Sequence, residues 1–342
     1  MAKKIVLKGF IFVIILTMII SILNSIFVLK VSHRGKIFQG VYEDRDTYDV
    51  ILMGSSHMDS SINPNVLWNE YGITSFNYGT GGQPIDVTYY LLKEVLKKHK
   101  NPIVVVDLYY LGLTEEYGQE GYIRYILDNM KFSVNKIEAV VNSTPKGQWL
   151  SYLLPIVKYH DRWKELEEKD FNYDTSTTYY QKGFGAGREV YGKGTLSDIK
   201  ETKTAELPPK TQEYLYKIIE LSQKEGFRLI FTNAPHDYTS TANMDTWHKE
   251  PAQMFNKVEE IAKANNIPFI NYNNLFDEIG FNFKNDMYNE GHMNIWGSNK
   301  VSTHFGRLLK EKYDLEDHRN DEKYADWKED YDKYLEVEAS AK

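Results

Sequence analysis

The longest apolar run lies near the amino end, where residues 9–29 carry no charged side chain. A helix of that length covers roughly 30 Å, the thickness of a bilayer's hydrocarbon core. The run is apolar on every face and sits at the extreme amino end, which favours a membrane span over a buried core helix. The pattern predicts a transmembrane signal anchor over residues 1–30, followed by a juxtamembrane linker over 31–46. No small-x-small cleavage site follows, so the span is expected to be retained. Lys3, Lys4 and Lys8 before it are matched by Lys30, Arg34 and Lys36 after it. Flanking charge therefore does not orient the span. A single pass through the cell membrane with the body on the extracytoplasmic side is the expectation that suits the chemistry below.

Beyond residue 46 the pattern alternates between short apolar runs and longer amphipathic ones. Runs at 48–54, 74–78, 102–107, 227–232 and 268–272 predict strands, and stretches at 84–100, 209–225, 252–265 and 297–313 predict helices. Strands alternating with helices of a dozen residues imply an α/β domain over 47–314, a parallel sheet covered on both faces. Residues 113–208 break this rhythm and predict an insertion after the third strand, with helical pieces and a glycine-rich part at 182–194. Such insertions sit where α/β folds place substrate-facing loops. The charged stretch 315–342 predicts a solvated helix or a disordered tail, without chemistry.

Composition narrows the function. The 342 residues are 42% hydrophobic and 14% aromatic, enough for a sizeable core, and the formal charge of -7 argues against nucleic acid as the main partner. There is no cysteine, which excludes disulfides, thiol catalysis and Cys-ligated zinc. The nine histidines lack the paired spacing of a zinc site, so no metal and no cofactor is expected.

Two segments carry candidate chemistry. Gly54-Ser55-Ser56-His57 closes the first strand. A serine at a strand-to-helix turn presents its hydroxyl above the sheet, beside backbone N–H groups able to hold an oxyanion. Asn289-Glu290-Gly291-His292-Met293-Asn294 stands just before the last helix, with Asp286 upstream. A histidine on such a loop accepts the serine proton if the fold brings the two together. His57 is the competing base, but side chains adjacent in sequence usually diverge, which makes it local scaffolding.

Gly-x-Ser after the first strand, a glycine turn (Gly79 to Gly82) after the second, and His-x-Asn before the last helix resemble the SGNH/GDSL hydrolase superfamily. Within it, the likeness is to membrane-anchored cell-envelope members, the DltD-like D-alanyl-transfer proteins and the SGNH-type polysaccharide O-acetyltransferases. The resemblance implies a three-layer α/β/α sandwich of flavodoxin-like order. It makes Ser56 the nucleophile and His292 the general base, with the N–H groups of Ser56 and of Gly79 (in Asn77-Tyr78-Gly79) in the oxyanion hole. It further implies transfer of an acetyl or D-alanyl group to a cell-wall polysaccharide or teichoic polymer, and a membrane-bound O-acyltransferase partner. An esterase of the same fold and a non-catalytic polymer-binding protein are the alternatives.

Two positions depart from the family pattern. The residue three before His292 is Asn289 rather than Asp, leaving Asp286 as a possible third member or a Ser–His dyad. The family's Gly-x-Asn-Asp block has no clear copy, with Asp107 or Asn233 at comparable strand ends. In the insertion, His160, Arg162 and Trp163 are candidates for holding a sugar or the donor's polar end, against a plain structural helix pair. Residues 182–185 are a candidate lip over the site.

Overall fold

The computed structural model describes residues 2–43, 47–194 and 201–340. Five strands form one sheet: β1 (Val50–Met53), β2 (Ser75–Asn77), β3 (Ile103–Asp107), β4 (Arg228–Asn233) and β5 (Phe269–Asn271). Their order is β2-β1-β3-β4-β5, and every pairing is parallel. Strand order reverses between β1 and β3, and open α/β sheets bind ligands at the carboxyl ends of such a switch point.

The main helices are α1 (Ala2–Phe27), α2 (Ser56–Asp59), α3 (Pro64–Tyr71), α4 (Ile85–Val95), α5 (Glu120–Leu127), α6 (Val134–Ser143), α7 (Pro209–Glu225), α8 (Pro251–Ala264), α9 (Ile295–Lys312) and α10 (Ala325–Ser340). Alternation along the strands divides the core. Ile51, Met53, Val104, Val106 and Phe231 face α4 to α8, while Val50, Leu52, Ile103, Val105 and Ile230 face α3 and α9. The result is the expected three-layer sandwich. It is preceded by α1, which is long and apolar enough to cross a membrane and has none of its most apolar window buried.

Three expectations differ from the observed fold. The segment read as a linker is packed: Ile37 and Val41 lie in the core, and Lys36 is buried, donating to Asp59 and to the Gly79 carbonyl at 2.8 Å. The insertion supplies α5 and α6, whose Ile123, Ile126, Leu127 and Val140 extend the core beside α4, so much of it is scaffold rather than lip. The tail forms a helix, one of the two expectations, but that helix is packed on the body rather than free in solvent. Trp327 of α10 is buried against Tyr48 and Trp68, and Lys182 pairs with Asp330 at 2.6 Å. An abundance of charge on three sides of α10 hid a single buried stripe.

Candidate active site

The chain leaves β1 through Gly54, whose φ of +146° and Cβ space, 3.0 Å from Asp107 Cβ, both require glycine. Ser55 then caps α2, its hydroxyl accepting from His57 N–H at 3.3 Å. Ser56 is the first residue of that helix, so its own N–H precedes any intrahelical acceptor. Its side chain is half-buried at the carboxyl end of β1, beside the switch point.

His292 arrives from the other end of the chain on a tight loop. Met287 bridges Met293, and Tyr288 N–H donates to the His292 carbonyl at 2.8 Å. Asn294 ties this loop to α9. Its side chain caps the helix through Gly297 N–H at 3.1 Å and donates to the Asn285 carbonyl at 2.7 Å. The glycine-rich stretch flanks the loop, since Gly187 bridges Asn294 and Tyr191 N–H donates to Met287 O at 2.8 Å.

The fold brings Ser56, His292 and Asn289 into one line. Ser56 Oγ lies 2.8 Å from His292 Nε2, and His292 Nδ1 lies 3.0 Å from Asn289 Oδ1. The same Oδ1 accepts from the N–H groups of Gly291 and His292, each at 2.9 Å. The two backbone N–H donors fix this amide atom as the oxygen, because an NH2 group there would face them donor to donor. Oδ1 therefore holds the proton on Nδ1 and leaves the Nε2 lone pair for the serine hydroxyl. Burial pulls the His292 imidazole below the ordinary histidine range, opposed in part by Glu290, so the ring is held neutral.

Asp286 does not join this line. Its carboxylate accepts from Lys300 Nζ at 2.7 Å and from Asn282 N–H at 2.6 Å, anchoring α9 to the preceding turn. Gly79 N–H is also unavailable, because it donates to Asn77 Oδ1 at 2.9 Å. Asn77 is fully buried, and its NH2 donates to the Met58 carbonyl at 2.8 Å, locking α2 to the end of β2. Gly79 is needed for closeness instead: a Cβ there would stand 2.6 Å from Asp59 N and 2.8 Å from Ser55 O. Of the two expected oxyanion donors, the Ser56 N–H alone remains.

Asn233 sits further along the sheet, its NH2 donating to Asn271 Oδ1 at 2.9 Å and Tyr238 OH at 3.1 Å. Asp107 lies beneath the serine turn and accepts from Ala234 N–H at 2.9 Å and Tyr109 N–H at 3.1 Å. Burial pushes its carboxyl up to about 7 against those two donors. The polar contacts of the insertion cluster go to partners other than Ser56 and His292, and they are structural. Arg162 donates to the carbonyls of Phe27 and Val28 at the end of α1 and to Asp170 at 2.8 Å, while His160 and Trp163 are exposed.

Two aromatic groups beside the site escaped the sequence. Tyr109 stacks on His57 with centroids 3.4 Å apart, and His236 meets Tyr109 edge-on at 4.9 Å. His57 in turn lies 4.8 Å from the His292 ring. Burial lowers both His57 and His236, the latter to about 4, so the three imidazoles pack as neutral rings. Position after a strand's carboxyl end was the available signal: Tyr109 follows β3 and His236 follows β4.

No protein-family model and no curated protein sequence matches the chain. Among solved structures it is similar to a Bacteroides fragilis protein described as an acylhydrolase, at 13% identity and a TM-score of 0.38, over 80% of this chain and 94% of that one. It is similar to an acetyl xylan esterase at 12% identity and 0.38, over 77% and 100%. A gut microbial diltiazem-metabolizing enzyme overlaps at 17% identity and 0.21, over 65% and 47%. These likenesses are too loose to bear on activity.

Proposed function

We propose that the chain is a membrane-anchored serine acyl-transfer enzyme of SGNH type, working through an acyl-enzyme on Ser56. The observation that supports it is the continuous line from Ser56 Oγ through both ring nitrogens of His292 to Asn289 Oδ1, at 2.8 and 3.0 Å. Ser56 Oγ attacks the donor carbonyl while its proton passes to Nε2, and the Ser56 N–H faces the developing oxyanion. His292 then protonates the leaving group. In the second half, His292 takes the proton of an acceptor hydroxyl, whose oxygen attacks the acyl carbonyl; the bond to Ser56 Oγ breaks and Nε2 returns the proton to Oγ.

Asn289 sets the character of this catalyst. Its amide fixes the tautomer, yet it carries no charge to stabilise the imidazolium formed in each half-reaction. Such a base suits an acyl donor with a good leaving group. Acetyl or D-alanyl transfer onto a cell-wall polysaccharide or teichoic polymer fits that chemistry. On this reading α1 holds the body at the extracytoplasmic face, and a membrane-bound O-acyltransferase supplies the acyl group. Ser56 is half-exposed, so water reaches the same intermediate and an esterase shares every step but the last acceptor.

Product analysis separates the two. The protein is given an activated acetyl ester with and without a soluble oligosaccharide. O-acetylated sugar formed faster than free acetate supports transfer, and acetate alone at every sugar concentration makes it an esterase.

A further inference from the structure

Around the carboxyl end of α1 the insertion forms a collar of short turns, residues 156–173. Ile156 N–H donates to Asn24 Oδ1 at 2.9 Å, Arg162 takes the Phe27 and Val28 carbonyls, and Tyr173 OH donates to the Val31 carbonyl at 2.8 Å. The body thus reaches back along the last turn of the helix, past Phe27 to Asn24, a climb of roughly 5 Å at 1.5 Å per residue. The apolar run itself continues to Leu29, so the collar overlaps the level at which the run ends.

The collar's outer side chains do not suit water. Trp163 is 63% exposed, Phe171 66% and Val157 44%. Aromatic side chains at this level of a spanning helix take the headgroup zone, and interfacial segments sink their apolar side about 5–10 Å into it. We infer that the 156–173 collar is a membrane-docking face, with Trp163 and Phe171 inserted into the bilayer interface beside α1. The inference rests on the reading of α1 as a membrane anchor. Along 157–171 four basic residues (Lys158, Arg162, Lys164, Lys169) nearly balance five acidic ones (Asp161, Glu165, Glu167, Glu168, Asp170), so apolar contact drives docking and uncharged, zwitterionic lipid suffices. Combined with the packed segment after α1, the collar gives Ser56 a fixed height and tilt over the bilayer rather than a tether's freedom.

The chain lacks cysteine, so single cysteines report cleanly. Full-length Ile15→Cys, Trp163→Cys, Phe171→Cys and Glu259→Cys proteins, each carrying an environment-sensitive fluorophore, are reconstituted in phosphatidylcholine vesicles containing nitroxide-labelled lipid. Ile15 lies within α1, and Glu259 is exposed on α8, which flanks β5 at the sheet edge away from β2. Labels at 15, 163 and 171 are expected to lose fluorescence to the lipid quencher, with 259 unaffected. If 163 and 171 behave as 259 does while 15 is quenched, the anchor stands and the docking face is refuted. If 15 is also unquenched, the anchor reading fails and the inference falls with it.

Discussion

At the Ser56 corner, polar contacts converge on one ring, whereas at the collar they radiate onto one helix end. Asn289 Oδ1 gathers three donors and delivers a single oriented imidazole to Ser56. Arg162, Ile156 and Tyr173 instead spread their bonds over the Asn24 side chain and the Phe27, Val28 and Val31 carbonyls, leaving aromatics outside. Convergence produces a group whose protonation and direction are set, as chemistry needs. Radiation produces a mount. The polar residue types in the two regions overlap, so composition does not tell them apart; only the direction of the bonds does.

Breaking the convergent corner has the largest expected effect. Ser56→Ala and His292→Ala should each lower ester turnover by about 10³-fold or more, since members of one unit fail together. Steady-state rates on an activated ester read this directly, and a loss below tenfold in both would dissolve the contrast. Asn289→Asp sharpens it. The carboxylate still accepts from Gly291, His292 and Nδ1, and adds the missing charge, so the rate should rise by about 10-fold or more.

The pH profile carries the sign of the same substitution. His292 works only when neutral, and burial places its titration below the ordinary histidine value, so activity should already be full at neutral pH and fall on acidification. In Asn289→Asp the new charge raises that titration, so the acid limb should move to higher pH. An unmoved limb would mean that residue 289 does not face the ring.

At the collar the effects are on stability rather than rate. Arg162→Ala leaves Asp170 buried without its cation and should cost about 1–3 kcal/mol in denaturant melts, with ester turnover unchanged. Smallest is Asp286→Asn, which removes the pair between buried Asp286 and partly exposed Lys300 while an amide oxygen can still accept from Asn282 N–H, and should cost about 1 kcal/mol. Its turnover should match the parent protein. A large loss of rate there would return Asp286 to the catalytic line.

The same distinction governs how far each region was legible. Ser56 and His292 could be read because each is placed by local rules, a glycine-terminated strand and a capped helix start, and the α/β topology brings strand ends together. The choice between Asp286 and Asn289 could not, since it depends on Lys300 and Asn282 claiming the carboxylate first. The Gly79 N–H was lost for a similar reason, to an Asn77 side chain whose direction no spacing reveals. Of the two readings of Arg162 the structural one holds, but its acceptors could not be named in advance because they lie at the end of α1, far away in sequence. Trp327 was missed because one buried stripe is faint in a helix otherwise full of charge.

The central claim is that the Ser56–His292–Asn289 line makes a serine acyl-enzyme. Intact-mass analysis of the detergent-solubilised full chain after brief exposure to an activated acetyl ester tests it most directly, with Ser56→Ala beside it. The account predicts one added acetyl group on the parent protein, none on the variant, and loss of the adduct on adding a hydroxyl acceptor. An unmodified parent protein, or an adduct that survives in Ser56→Ala, would contradict it.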